Sequence, residues 1–74
     1  MKKPKQAEAR KVVLRYIRKF WREYNYPPTM REIAAALGYG SKEAIRYHLR
    51  ALREQGIVDW QEGAGRTIRI VEAA

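Results

Sequence analysis

The chain has 74 residues, room for one small domain whose core must be simple, and its 16 Lys+Arg against 8 Asp+Glu leave a formal charge of +8. That excess suits a polyanionic partner, nucleic acid first and an acidic membrane surface second. Absence of Cys removes disulfide frameworks, thiol redox chemistry and zinc ribbons; a single His leaves no material for a His-rich metal site or a Ser-His-Asp triad.

Residues 1–5 form a basic tail containing Pro4, expected to fray. From about Gln6 the pattern is helical. Val13, Ile17, Phe20, Trp21 and Tyr24 fall on one face of a 3.6-residue period and are expected in the core, while Lys11, Arg15, Arg18, Lys19 and Arg22 occupy the opposite face. Asn25, which tolerates positive φ, is the expected stop, and Pro27-Pro28 forces an extended connection. Thr29 with Glu32 three residues on makes a capping box that opens a short helix through Ile33, Ala34 and Leu37, ended by Gly38. Tyr39-Gly40 makes a turn, and Ser41 is expected to cap a third helix from Lys42 to about Gln55. Ile45, Leu49 and Leu52 are its inward stripe, and Gly56 its stop.

Beyond Gly56 the period changes to two. Val58 and Trp60 alternate with Asp59 and Gln61, and Ile68 and Ile70 with Thr67 and Arg69, about a loop from Glu62 to Arg66. Residues 73–74 are tail. The reading is one domain over residues 6–72, mainly α: a three-helix winged helix-turn-helix with a C-terminal two-stranded β-hairpin wing. No apolar run approaches the ~20 residues of a membrane span, and Lys2-Lys3-Pro4-Lys5 has no apolar h-region behind it, so a cytoplasmic protein is expected, nucleoid-associated if bacterial.

In a helix-turn-helix the third helix fits the major groove with its first turns toward base edges. Ser41, Lys42, Glu43, Arg46 and Tyr47 face away from the Ile45 stripe and are assigned to base reading. Arg46 has the geometry to bind a guanine bidentately, and Glu43 to accept from a cytosine amino group or simply to favour the helix dipole. Arg31, Arg50, Arg53 and Arg66 are assigned to phosphates with Thr67; Gly65 lets backbone amides approach, and Thr29 is first a cap and secondarily a phosphate contact.

The stretch Tyr26-Pro27-Pro28-Thr29, with Arg31-Glu32-Ile33-Ala34, Leu37-Gly38, Ser41, His48-Leu49, Ala51-Leu52 and Gly56-Ile57, resembles the DNA-binding domain of the LexA repressors, and Gly63-Ala64-Gly65-Arg66 with Ile68-Arg69 is similar to that family's wing. The resemblance covers about Val13 to Val71 and implies operator binding through the third helix, with the wing at residues 62–67 on the adjacent backbone or minor groove. Family members also carry a self-cleaving peptidase domain that dimerises them; the sequence ends at Ala74, so that activity is not carried over. Lys42, Glu43, Arg46 and Tyr47 differ from the small, amide or acidic residues at several of these family positions, which leaves the target sequence open and is compatible with a domain redesigned for a new site.

Other readings stand beside these. The basic row on the first helix is a solvated face or a second phosphate-gripping surface. Trp21 and Trp60 serve the core sooner than they stack on bases, and His48 is expected half-buried, packed toward the hairpin. A winged helix docking on an acidic protein partner is the main functional alternative, and a membrane-active cationic helix over residues 6–24 a weaker one. The expected state is a monomer without cofactor, metal or small-molecule ligand, binding double-stranded DNA singly or as two copies on a palindromic site.

Overall fold

A computed structural model describes residues 6–71; the expected tails at 1–5 and 73–74 lie outside the described residues. In chain order the elements are α1 (Gln6–Tyr24), α2 (Met30–Leu37), α3 (Lys42–Glu54), β1 (Val58–Asp59) and β2 (Arg69–Ile70). The winged helix-turn-helix expected from the residue pattern is the fold.

On α1 the apolar stripe buries Val13, Ile17 and Phe20, but Trp21 is 39% and Tyr24 51% exposed. Both were expected inside. Trp21 lies ~100° around the helix from Phe20, off the line of Val13, Ile17 and Phe20, which Leu14 and Tyr16 flank half-buried. Tyr24 instead closes an aromatic group at the helix end, 4.6 Å from the Phe20 ring and 5.9 Å from Tyr26, with Tyr26 5.7 Å from Phe20. Asn25 takes the left-handed conformation at φ 61° and donates its N–H to the Trp21 carbonyl at 2.8 Å, which ends the helix there.

The capping box is complete. Thr29 Oγ1 accepts from the Glu32 N–H at 3.0 Å, and Glu32 Oε1 accepts from the Thr29 N–H at 2.9 Å. Ser41 occupies the equivalent place before α3 with extended backbone, but its side chain makes no capping bond, so the α3 start lacks the local closure that α2 has. At the far end of α3, Gly56 at φ 77° lets its own N–H reach the Arg53 carbonyl and the Ile57 N–H reach the Leu52 carbonyl, both at 2.9 Å. This double closure turns the chain directly into β1.

The strands pair antiparallel, Val58 with Ile70 and Asp59 with Arg69. They are shorter than the alternating runs suggest because side chains take over beyond them: Thr67 Oγ1 accepts from the Gln61 N–H at 2.9 Å, and Asp59 Oδ1 from the Trp60 N–H at 2.9 Å. The alternation itself holds, with Val58, Trp60 and Ile68 buried against Ile45, Leu49 and Leu52 of α3 and Val13 and Ile17 of α1 in one cluster. The hairpin therefore closes the open side of the three-helix core.

His48 is more buried than its position suggests, at 8% exposed, and its neighbours are not those expected. Its ring meets Tyr39 at 5.9 Å and Tyr47 at 5.5 Å, near Arg10 of α1, and its Nδ1 has no hydrogen-bond partner. Burial first, and the Arg10 charge second, hold its pKa below the ordinary value of 6.5. The unfolded chain therefore takes up this proton more readily than the folded one, so the stability is full above about pH 6.5 and is lost as pH falls through the lower folded pKa. Urea midpoints should decline from about pH 7 to pH 5, before the carboxylates titrate, and His48→Leu should flatten that decline.

Candidate nucleic-acid interface

Between the start of α2, the start of α3 and the wing lies an open concavity bordered by Thr29, Arg31, Lys42, Arg46, Gly65, Arg66 and Thr67. The fold thus gathers on one surface residues of three elements that were assigned separately. Ser41, Lys42 and Glu43 are exposed on the first turn of α3, and Tyr47, 54% exposed, and Arg50 follow on its outer side. Tyr47 stands beside Arg10, whose guanidinium carbon is 6.0 Å from its ring centre.

Several of the assigned arginines already have partners within the fold. Arg46 donates to Glu62 Oε1 at 2.8 Å and lies 3.8 Å from Glu43, which leans it toward the base of the wing. This hydrogen bond is the largest cause holding the Glu62 carboxyl below its ordinary range. Arg53 is tied more completely. Its guanidinium lies 3.5 Å from the Trp60 ring centre, donates to the Trp60 carbonyl at 2.6 Å and to Asp59 at 3.1 Å, and reaches Glu62 at 3.3 Å. Arg69 adds a longer contact to Asp59 at 3.5 Å. One fork on α3 thereby holds the first half of the hairpin.

Arg66 secures the second half. It donates to both oxygens of Glu32 at 3.0 and 2.8 Å and to the Pro27 carbonyl at 3.1 Å, above the Tyr26 ring at 4.7 Å. Its backbone is left-handed at φ 58°, a conformation that costs a non-glycine residue about 1 kcal/mol and that these bonds offset. Glu32 accordingly titrates below its ordinary range, chiefly through Arg66 and then through Thr29. The capping-box glutamate thus serves two elements at once: it closes α2 and anchors the wing 34 residues away. Thr67 turns inward as well, within hydrogen-bond reach of the Gln61 and Ala64 carbonyls.

Glu32, Asp59 and Glu62 were not singled out from the sequence as parts of the site. The available signal was scarcity: in a chain of net charge +8, carboxylates on the wing and on the helix it meets are natural partners for its arginines.

A three-helix core whose second and third helices meet at a short turn, closed by a two-stranded hairpin, defines a winged helix-turn-helix DNA-binding domain. The profile of the family described as LexA DNA binding domain matches residues 4–67, and the chain belongs to that family. It is 49% identical over 61 residues to the LexA repressor of Marinobacter nauticus, an alignment covering 82% of this chain and 30% of that protein. It is 45% identical over 62 residues to the LexA repressor of Marinomonas sp., covering 84% of this chain and 30% of that protein. With the LexA repressor of Pseudomonas chlororaphis the identity is 42% over 67 residues, covering 90% and 31% respectively. The chain therefore spans under a third of the length of these relatives. Among the described residues no helix is long and apolar enough to cross a membrane, and no cluster of metal-ligating side chains occurs.

Proposed function

We propose that this domain recognises a specific double-stranded DNA sequence, with α3 in the major groove and the wing on the adjacent backbone, and that it acts as a repressor of transcription, its relatives being named repressors. The observation that carries the reading is the concavity that sets the exposed first turn of α3 beside the wing, with Lys42 and Arg46 among the residues that line it. Ser41, Lys42, Glu43, Arg46 and Tyr47 read bases; Arg31 and Arg50 grip phosphates.

Arg53 and Arg66, whose guanidinium groups are held by Trp60, Asp59 and Glu32, act chiefly by setting the wing's height, and Thr29 and Thr67 stabilise the same loops. Gly65 and its neighbours then present the wing backbone to a phosphate. Arg46 exchanges Glu62 for a base edge on binding, so its contact is rewarded only where an acceptor pair such as guanine O6 and N7 stands opposite it. A single copy covers one half-site, and two copies on a palindrome gain avidity through the shared duplex.

Selection of bound duplexes from a randomised pool at about 150 mM salt tests this directly. A short enriched motif, bound well above scrambled duplex, is the expected result. Arg46→Ala should weaken the selected site about ten- to a hundredfold and random duplex far less, whereas Arg50→Ala should weaken both about equally and lower the salt slope by about 1. Equal losses for Arg46→Ala on the two duplexes would remove it from base reading. No enrichment, with binding that collapses as salt rises, would favour an acidic protein partner instead.

A further inference from the structure

Part of the excess positive charge is gathered on one helix, apart from Arg31, Lys42 and Arg50 of the interface already described. Around the wing the arginines are matched by carboxylates: Arg46 with Glu43 and Glu62, Arg53 with Asp59 and Glu62, Arg66 with Glu32, and Arg69 with Asp59. The outer side of α1 is different. Lys11, Arg15, Arg18, Lys19 and Arg22 are all exposed there, and Lys11, Arg15, Lys19 and Arg22 have no carboxylate partner among the described residues. These cations border a shallow groove along the helix with half-buried Leu14. They span about 100° of the helix circumference, centred opposite Val13 and Ile17, and run for about 16 Å along its axis. Spacings of three and four residues between like charges weaken an isolated helix, a cost that a polyanion laid along the row removes.

The chemistry of the row selects its partner. A helix that lies in a membrane surface needs a broad free apolar face; that of α1 is mostly turned into the core, where Val13 and Ile17 are fully buried, leaving Val12, Trp21 and Tyr24 exposed. A protein interface wants a broad apolar centre, and here only half-buried Leu14 and the exposed Val12 adjoin the cations. A duplex presents about ten phosphate charges in 16 Å of its length, which needs neither. Orientation matters equally. The α1 stripe and the α3 stripe of Ile45, Leu49 and Leu52 meet in one core, so the outer faces of the two helices look away from each other, and the α1 groove shares no residue with the concavity at the wing.

We propose that the α1 row is a second, sequence-independent binding surface for duplex DNA, so that one domain holds its site through α3 and captures another duplex through α1. The bridging rests on the proposed DNA reading by α3; the phosphate affinity of the row does not. The test immobilises a duplex bearing the selected site, saturates it with the full chain, and passes a labelled duplex of random sequence over it.

Wild type should retain the labelled duplex. The K11Q/R15Q/K19Q/R22Q variant should hold the immobilised site within about threefold of wild type yet retain about tenfold less of the labelled duplex. The charge-preserving K11R/R15K/K19R/R22K variant should retain it as wild type does, which separates charge from folding. Retention by the neutralised variant equal to wild type, or no retention by wild type that is bound to its site, overturns the proposal. If no duplex is selected, titration of random duplex against salt still reads the row: the log–log slope should fall by about 3.6 in the neutralised variant, and an unchanged slope overturns it. Wild type that captures phosphatidylserine vesicles but no second duplex would give the row to a membrane and also overturn the proposal.

Discussion

Ile45→Ala is expected to cost about 3 kcal/mol of folding stability and to lower the melting temperature by about 15 °C. Ile45 is fully buried and lies where α3 meets the cluster formed with Val13, Ile17, Ile33 and the hairpin. Truncation removes three carbons and leaves a void that three surrounding elements cannot easily fill. A domain of 74 residues has only about 4–11 kcal/mol in total, so the loss is a large share. Ile45→Val, which keeps β-branching and most of the volume, should cost only about 1 kcal/mol. Chemical denaturation and a thermal melt measure both variants. At about 10 °C, where most of the alanine variant remains folded, its affinity for the selected duplex should stay close to wild type, because the apparent constant scales with the folded fraction. A large affinity loss in fully folded protein would instead mean that the residue shapes α3 directly.

Arg53→Ala is expected to destabilise the domain by about 2 kcal/mol, roughly 10 °C in melting temperature, despite the partial exposure of the side chain. Most of the effect comes from the short bond to the Trp60 carbonyl and the stacking over the Trp60 ring, rather than from the exposed ion pairs with Asp59 and Glu62. Arg53→Lys should recover less than half, since an ammonium cannot stack over the indole and donate to the carbonyl and both carboxylates together. Tryptophan emission should shift to the red in Arg53→Ala as Trp60 loses its cover, a change that Asp59→Asn should produce only weakly. If raising the salt concentration by itself reproduced the loss in wild type, the ion pairs would be the larger part.

Much of the fold was readable because it depends on short intervals. Thr29 with Glu32, Gly38, Gly56 and the left-handed Asn25 each act within a few residues, and their roles in ending or starting helices follow from local geometry. The apolar periods of α3 and the hairpin were equally legible, since a change of period from 3.6 to 2 at Gly56 marks where the chain stops coiling and begins to extend. Ser41 shows the limit of local reading: the residue type and backbone suit a cap, yet the hydroxyl makes no capping bond. Trp21 shows another, because periodicity tells which side of a helix is apolar but not how wide a strip the neighbouring helices cover.

The candidate site divides in the same way. The outward position of Ser41, Lys42, Glu43 and Tyr47 follows from the inward stripe on the same helix and needs no tertiary information. What Arg46, Arg53 and Arg66 hold does need it: their partners lie 16, 9 and 34 residues away in Glu62, Glu62 and Glu32. By itself the sequence determined the class of fold, the helix boundaries and a basic chain suited to a polyanion, because caps, turns and apolar periods are short-range. Only the tertiary structure decided which arginines are neutralised at the wing and which cations stay uncompensated on α1. Charge pairing of that kind depends on where the hairpin comes to rest against α2 and α3, and no interval along the chain encodes that distance.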